Sequence, residues 1–171
     1  MKHIVDGQEI KSRKKTNNRW FETQDSISYW NDLSKQKIIW GEISDKPKFA
    51  IDLHGEFAPE ATTFMMTGSH LKYLLCFLNS TFSEYYFAKI GTTTGMGTLR
   101  WKKYLIETLP IPKASDADMD ECERLLDLIL ESSSDDRPIY IQMLNEKIYS
   151  MLGFTEEEVA AIEDIVAHGA H

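Results

Sequence analysis

The stretch from Ile90 to Pro112, IGTTTGMGTLRWKKYLIETLPIP, concentrates the residue types that recognise a polyanion. Glycines stand at 91, 95 and 97, three hydroxyls at Thr92, Thr93 and Thr94, and a cationic run follows at Arg100, Lys102 and Lys103. Glycine lets a backbone come close to another surface. Hydroxyl, guanidinium and ammonium groups supply the donors that phosphate oxygens and base edges accept. A second basic cluster lies upstream at Lys11, Arg13, Lys14, Lys15 and Arg19, interleaved with Asn17 and Asn18. Asparagine can pair bidentately with adenine, and each phosphate neutralised adds about 0.9 to the log–log salt slope. These two clusters imply contact with double-stranded DNA. Trp101, between the cations, can stack or wedge at DNA, but a tryptophan is more often a core anchor.

Catalytic chemistry fits less well. Asp6, Glu9 and Lys11 echo the carboxylate and lysine set of metal-dependent nucleases, but such sites need carboxylates on neighbouring strands around a metal. Here all three fall within six positions, which suits a solvated hairpin. Residues 91–97 lack the Gly-Lys-Ser/Thr ending of a phosphate-binding loop. Glu156, Glu157 and Glu158 suit the first turn of a helix. Cys76 and Cys122 fall on apolar helical faces and are expected to be buried free thiols, not zinc ligands. The chain itself is therefore expected to hold no catalytic residue, no cofactor and no metal. No apolar run is long enough to span a bilayer, and a cytoplasmic location is expected.

The net charge of −8 conceals two unlike parts. Residues 1–113 carry 16 lysines and arginines against 12 acidic residues, whereas 114–171 carry 3 against 15. The first part can meet a polyanion; the second would repel one.

Positioning those residues falls to two kinds of element. Lys37–Ile43, Lys48–Leu53 and Thr62–Thr67 have strand composition and are separated by turn signals. Ile4-Val5 and Glu9-Ile10 flank Asp6-Gly7 as a hairpin would. Residues 11–19 suit a polar loop, and Ser26–Leu33 a short helix. Beyond Ser69, a plausible N-cap, the period becomes helical through Leu71, Leu74, Leu75 and Leu78. The spacing resumes with Phe82, Tyr85, Tyr86 and Ile90 after a break near Asn79-Ser80. A linker over 113–118 leads to two amphipathic helices, one through Cys122, Leu125, Leu126, Ile129 and Leu130, the next through Ile141, Leu144, Ile148, Met151 and Leu152. Gly153 fits a helix C-terminus, and Thr155 with Glu158 a capping box opening a last helix, stapled by Phe154 and Val159.

The order of these features resembles a known family. Residues 4–11 (IVDGQEIK), Arg19-Trp20-Phe21-Glu22, 36–44 (QKIIWGEIS), Phe49-Ala50-Ile51-Asp52, 74–82 (LLCFLNSTF), Thr93-Thr94-Gly95-Met96-Gly97 and 109–112 (LPIP) follow one another in an order that resembles the TaqI-like C-terminal specificity domain. That domain is found in type IIG restriction-modification enzymes and N6-adenine DNA methyltransferases. Residues 151–159 (MLGFTEEEV) resemble the ending of the same enzymes, so the likeness runs from about residue 4 to 165.

The resemblance implies a target recognition domain that reads DNA beside a catalytic methyltransferase domain of the same parent protein. That domain would use S-adenosylmethionine, and a nuclease requiring magnesium could accompany it. The methyltransferase Asn/Asp-Pro-Pro-Tyr/Phe motif is absent from this chain, which implies a C-terminal fragment or a cut-down stand-alone form. The expected fold is α+β: a mixed α/β target recognition domain over 1–113 and an acidic helical extension over 114–171. The expected DNA-binding residues are Arg13, Lys14, Lys15, Asn17, Asn18, Arg19, Thr92, Thr93, Thr94, Arg100, Lys102 and Lys103. The alternative is an interaction module that recruits a separate methyltransferase through its helical tail.

Overall fold

The computed structural model describes residues 3–5, 8–10, 17, 19, 28–60, 62–93 and 98–168. Strands β1 (His3–Val5) and β2 (Gln8–Ile10) pair antiparallel, with Val5 opposite Gln8. In place of a short helix over 26–33, the described residues there form a single 3-10 turn, Trp30–Asp32.

The three β-rich runs become β3 (Lys37–Gly41), β4 (Phe49–Asp52) and β5 (Thr63–Met66). They form an antiparallel sheet in the order β4-β3-β5. Strand alternation sorts their side chains. Ile38 and Trp40, with cross-strand partners Phe49, Ile51, Phe64 and Met66, share the core face. The Trp40 ring lies 5.6 Å from Phe49 and 5.5 Å from Phe64. On the other face the register sets Lys37 opposite Asp52, and both side chains are buried. Lys37 Nζ donates to Asp52 Oδ2 and to the carbonyl of Leu33. Asp52 also accepts backbone N–H bonds from His54, Gly55, Glu56 and Phe57. The lysine beside it is the leading cause of its carboxyl being held well below the usual range. This pair stitches the loop after β4 to the sheet, because a buried charge persists only when paired and hydrogen-bonded.

Helix α1 (Leu71–Leu78) is apolar on nearly every side, as a helix covered all round must be. It packs on β3 and β4 and against α4, introduced below. Ser69 does not cap it. His70 occupies that position with φ 54, and no side chain caps the helix. The chain enters one residue later than the spacing suggests, which leaves the Ser69 hydroxyl a step short of the first-turn N–H groups. The expected break occurs at Asn79-Ser80. Ser80 Oγ accepts from Ser83 N at 3.1 Å and opens α2 (Thr81–Ile90). Asn79 donates to Phe49 O at 2.9 Å and accepts from Phe49 N at 3.0 Å. Its amide thus pairs with the edge of β4 as a neighbouring strand would.

After α2 come β6 (Thr92–Thr93), β7 (Leu99–Arg100) and the single-turn α3 (Lys103–Ile106). The acidic part forms α4 (Asp116–Glu131), α5 (Arg137–Leu152) and α6 (Glu156–His168). Helix α4 begins inside the expected linker, because Ser115 Oγ caps it by accepting from Asp118 N at 3.2 Å. Gly153 adopts φ 74, and the bonds Gly153 N to Ser150 O and Phe154 N to Tyr149 O complete a Schellman ending. The capping box forms in both directions, Thr155 N to Glu158 Oε2 at 2.9 Å and Glu158 N to Thr155 Oγ1 at 3.3 Å.

These helices share the core of the sheet. Cys122, Leu125, Ile148 and Ile162 are buried in one cluster with Trp40, Phe77 and Phe87. Lys72 of α1 pairs with Asp127 of α4 at 2.7 Å, and Lys147 of α5 reaches Asp118 and Glu121 of α4 at 2.8 and 2.7 Å. Leu130 and Ile141, expected on the buried faces, are exposed. No helix among the described residues is long and apolar enough to cross a membrane. The architecture is α+β, a mixed sheet-and-helix body followed by a helical C-terminal region.

Candidate nucleic-acid interface

The cationic run sits where two pieces of distant chain are fastened together. Strands β6 and β7 pair antiparallel, with Thr92 opposite Arg100 and Thr93 opposite Leu99. Residues 94–97, including Thr94 and two of the glycines, connect them and lie outside the described residues. Gly91 precedes β6 for a steric reason: a Cβ there would stand 2.4 Å from the carbonyl oxygen of Phe87. The close approach that this glycine permits is therefore to the chain's own α2.

The hairpin base is held against the end of β3. Ser44 N donates to Leu99 O at 3.3 Å, and Trp101 N to Glu42 O at 2.7 Å. Ile43 forms an isolated antiparallel bridge with Arg100. Trp101 supplies the anchor expected of it and is 2% exposed. Its ring lies 4.8 Å from Phe87 and 5.8 Å from Phe49. Its indole N–H donates to Ser44 O at 2.9 Å, and its carbonyl accepts from the indole of Trp40, also at 2.9 Å. Such edge-to-face ring contacts contribute roughly 0.5–1.5 kcal/mol each beyond area burial. Trp101 thus lies too deep to stack on a base.

The cations flanking it point the other way. Arg100 and Lys102 are each 38% exposed, and both approach one carboxylate. Arg100 Nη1 donates to Glu42 Oε1 at 2.9 Å, and Lys102 Nζ stands 3.8 Å from the same oxygen. Lys103, the first residue of α3, is exposed and 3.5 Å from Glu107. The hairpin flank therefore presents three cations, two of them around Glu42. Among the described residues no cluster of His, Cys, Asp and Glu could hold a metal.

The fold thus brings Thr92, Thr93, Arg100, Lys102 and Lys103 together. Of the upstream cluster, Asn17 and Arg19 are exposed; Arg13, Lys14, Lys15 and Asn18 lie outside the described residues. The model of a known protein family, the TaqI-like C-terminal specificity domain, matches residues 2–111. The chain belongs to that family. Its members are DNA-specificity domains of restriction-modification enzymes, so recognition of DNA sequence, without catalysis, is the function class that membership carries. No curated protein matches the chain.

The match takes in the sheet, the hairpin and the Leu109-Pro110-Ile111 element, and ends before α4. In this specificity domain Glu42 is the residue that sequence reasoning missed. It lies in the run 36–44 that carries the family resemblance, but nothing in its spacing announces an ion pair with a residue 58 positions away.

Proposed function

We propose that this specificity domain discriminates DNA sequence through the β6–β7 hairpin and its cationic flank. On this reading Lys102 and Lys103 neutralise phosphates, Arg100 and the Thr92–Thr94 hydroxyls face base edges in the major groove, and the basic 13–19 cluster with Asn17 and Asn18 adds further contacts. Family membership carries the reading, and the exposed cations on a hairpin fixed by a buried tryptophan support it. A specificity domain needs such a base, because base readout depends on donors held in place before the DNA arrives.

We assign the parent activity to adenine-N6 DNA methylation of the type IIG kind. A partner catalytic domain would carry S-adenosylmethionine, and magnesium if it also cuts, in the cytoplasm. The experiment is selection of duplexes from a randomised pool at low salt, with the chain and with Arg100→Ala. A consensus that relaxes at one position in the variant is expected. Absence of binding even at low salt would refute the assignment.

A second reading, an interaction module, is favoured by the exposure of Leu130, Ile139, Ile141 and Met143 on α4 and α5. Deleting the tail cannot test it, since Cys122, Leu125 and Ile148 belong to the common core. Leu130→Glu with Ile141→Glu can: loss of methyltransferase recruitment with DNA selection intact would support it.

A further inference from the structure

We propose that Glu42 is a specificity-positioning residue, whose carboxylate holds the Arg100 guanidinium so that its remaining donors address a guanine edge. This rests on the reading that the hairpin faces DNA, and adds to it a residue and a base. Arg100 Nη1 donates to Glu42 Oε1 at 2.9 Å. A guanidinium has five N–H donors in a rigid planar fork, so one bond to Glu42 tethers the group at Nη1 and leaves donors for a bidentate contact. Guanine, with adjacent O6 and N7 acceptors in the major groove, is the base whose edge fits such a fork.

Glu42 is itself held from both sides by backbone bonds independent of its carboxylate. Its N–H donates to Thr62 O at 3.2 Å, and its carbonyl accepts from Trp101 N at 2.7 Å. The carboxylate therefore sits on a rigid frame, with Arg100 at 38% and Glu42 at 30% side-chain exposure. It also moderates charge. Two cations around one anion leave a single net positive charge at that point. Arg100 is thereby biased away from generic phosphate contact and towards a contact whose geometry matters.

The test is a cycle of Glu42→Gln, Arg100→Ala and the double variant against the selected consensus duplex and its single-base variants, across a salt series. Glutamine keeps the size of the side chain and both backbone bonds, and thermal unfolding checks that the fold is retained. With Glu42→Gln the preference for guanine over other bases at the position read by Arg100 should fall about tenfold, within the range of one bidentate pair. Non-specific binding should tighten, with a log–log salt slope steeper by up to about 0.9. In the double variant the Glu42 change should add little discrimination loss to that of Arg100→Ala.

The inference is overturned if Glu42→Gln keeps the wild-type preference, relaxes a different position, or adds fully to Arg100→Ala. In each of these cases the wild-type chain still selects a consensus, and the DNA-reading assignment stands. If the wild-type chain selects none, that assignment fails and this inference falls with it.

Discussion

Replacing Trp101 by phenylalanine separates an anchor from a DNA wedge. The smaller ring keeps a partner for Phe87 and Phe49, which lie 4.8 and 5.8 Å from the indole, but loses the N–H bond to Ser44 O at 2.9 Å. The lost hydrogen bond costs about 1 kcal/mol. The apolar volume removed at a site 2% exposed costs roughly 2 kcal/mol more, at about 0.8 kcal/mol per buried methylene equivalent. A destabilisation of about 3 kcal/mol follows, which in a domain of this size lowers the melting temperature by roughly 6–12 °C. Urea denaturation followed by far-UV circular dichroism should show a lower midpoint with an unchanged slope. Well below the new melting temperature, DNA affinity should change only slightly, because the phenyl ring still seats the hairpin. A variant as stable as the wild type that has lost DNA binding would refute this reasoning, since the indole would then be acting on the ligand rather than on the core.

Three further outcomes follow from the same packing. Gly153→Ala should cost about 1 kcal/mol in urea denaturation: no atom crowds a Cβ there, so the whole cost is the left-handed backbone at φ 74. Native Cys76 and Cys122 should resist a thiol reagent at pH 8 and react fully in denaturant. Burial pushes both thiols up, Cys122 to about 11, and only the thiolate reacts; rapid native labelling would contradict this. Asp118 is lowered to about 2, chiefly by the Lys147 hydrogen bond. A depressed carboxyl favours the folded state above its unfolded value of about 4 and loses that contribution as pH falls through 2. Acid unfolding of the wild type should therefore depend more steeply on pH below 4 than that of Asp118→Asn, and identical curves would rule the pair out as a contributor.

Local patterning was enough to expose much of the scaffold. Strand-type composition between turn signals marks β3, β4 and β5, because β-branched and aromatic side chains suit a pleated, half-buried surface. Helical spacing marks α1, α2, α4 and α5. The Gly153 ending and the Thr155–Glu158 box were legible because capping is a bond between near neighbours. The boundary errors have the same origin. Ser69 and Ser115 are equally good capping residues, and only the path of the chain out of β5 or past Pro112 decides which is used.

The sequence also determined the chemistry on offer, cations beside a glycine and threonine run, and the family order that gives those cations a purpose. What it could not determine was company. That Lys37 meets Asp52, that Asn79 completes the edge of β4, and that Glu42 meets Arg100 depend on register and on contacts 15, 30 and 58 positions apart. The first two exist only once β3 has paired with β4 and α1 has packed on that sheet, the third only once the hairpin lies against the end of β3. Tertiary structure thus decided which member of the run Arg100-Trp101-Lys102 is sealed in the core and which two flank a shared carboxylate, because an extended chain sends neighbouring side chains to opposite sides and only packing chooses which side is inside.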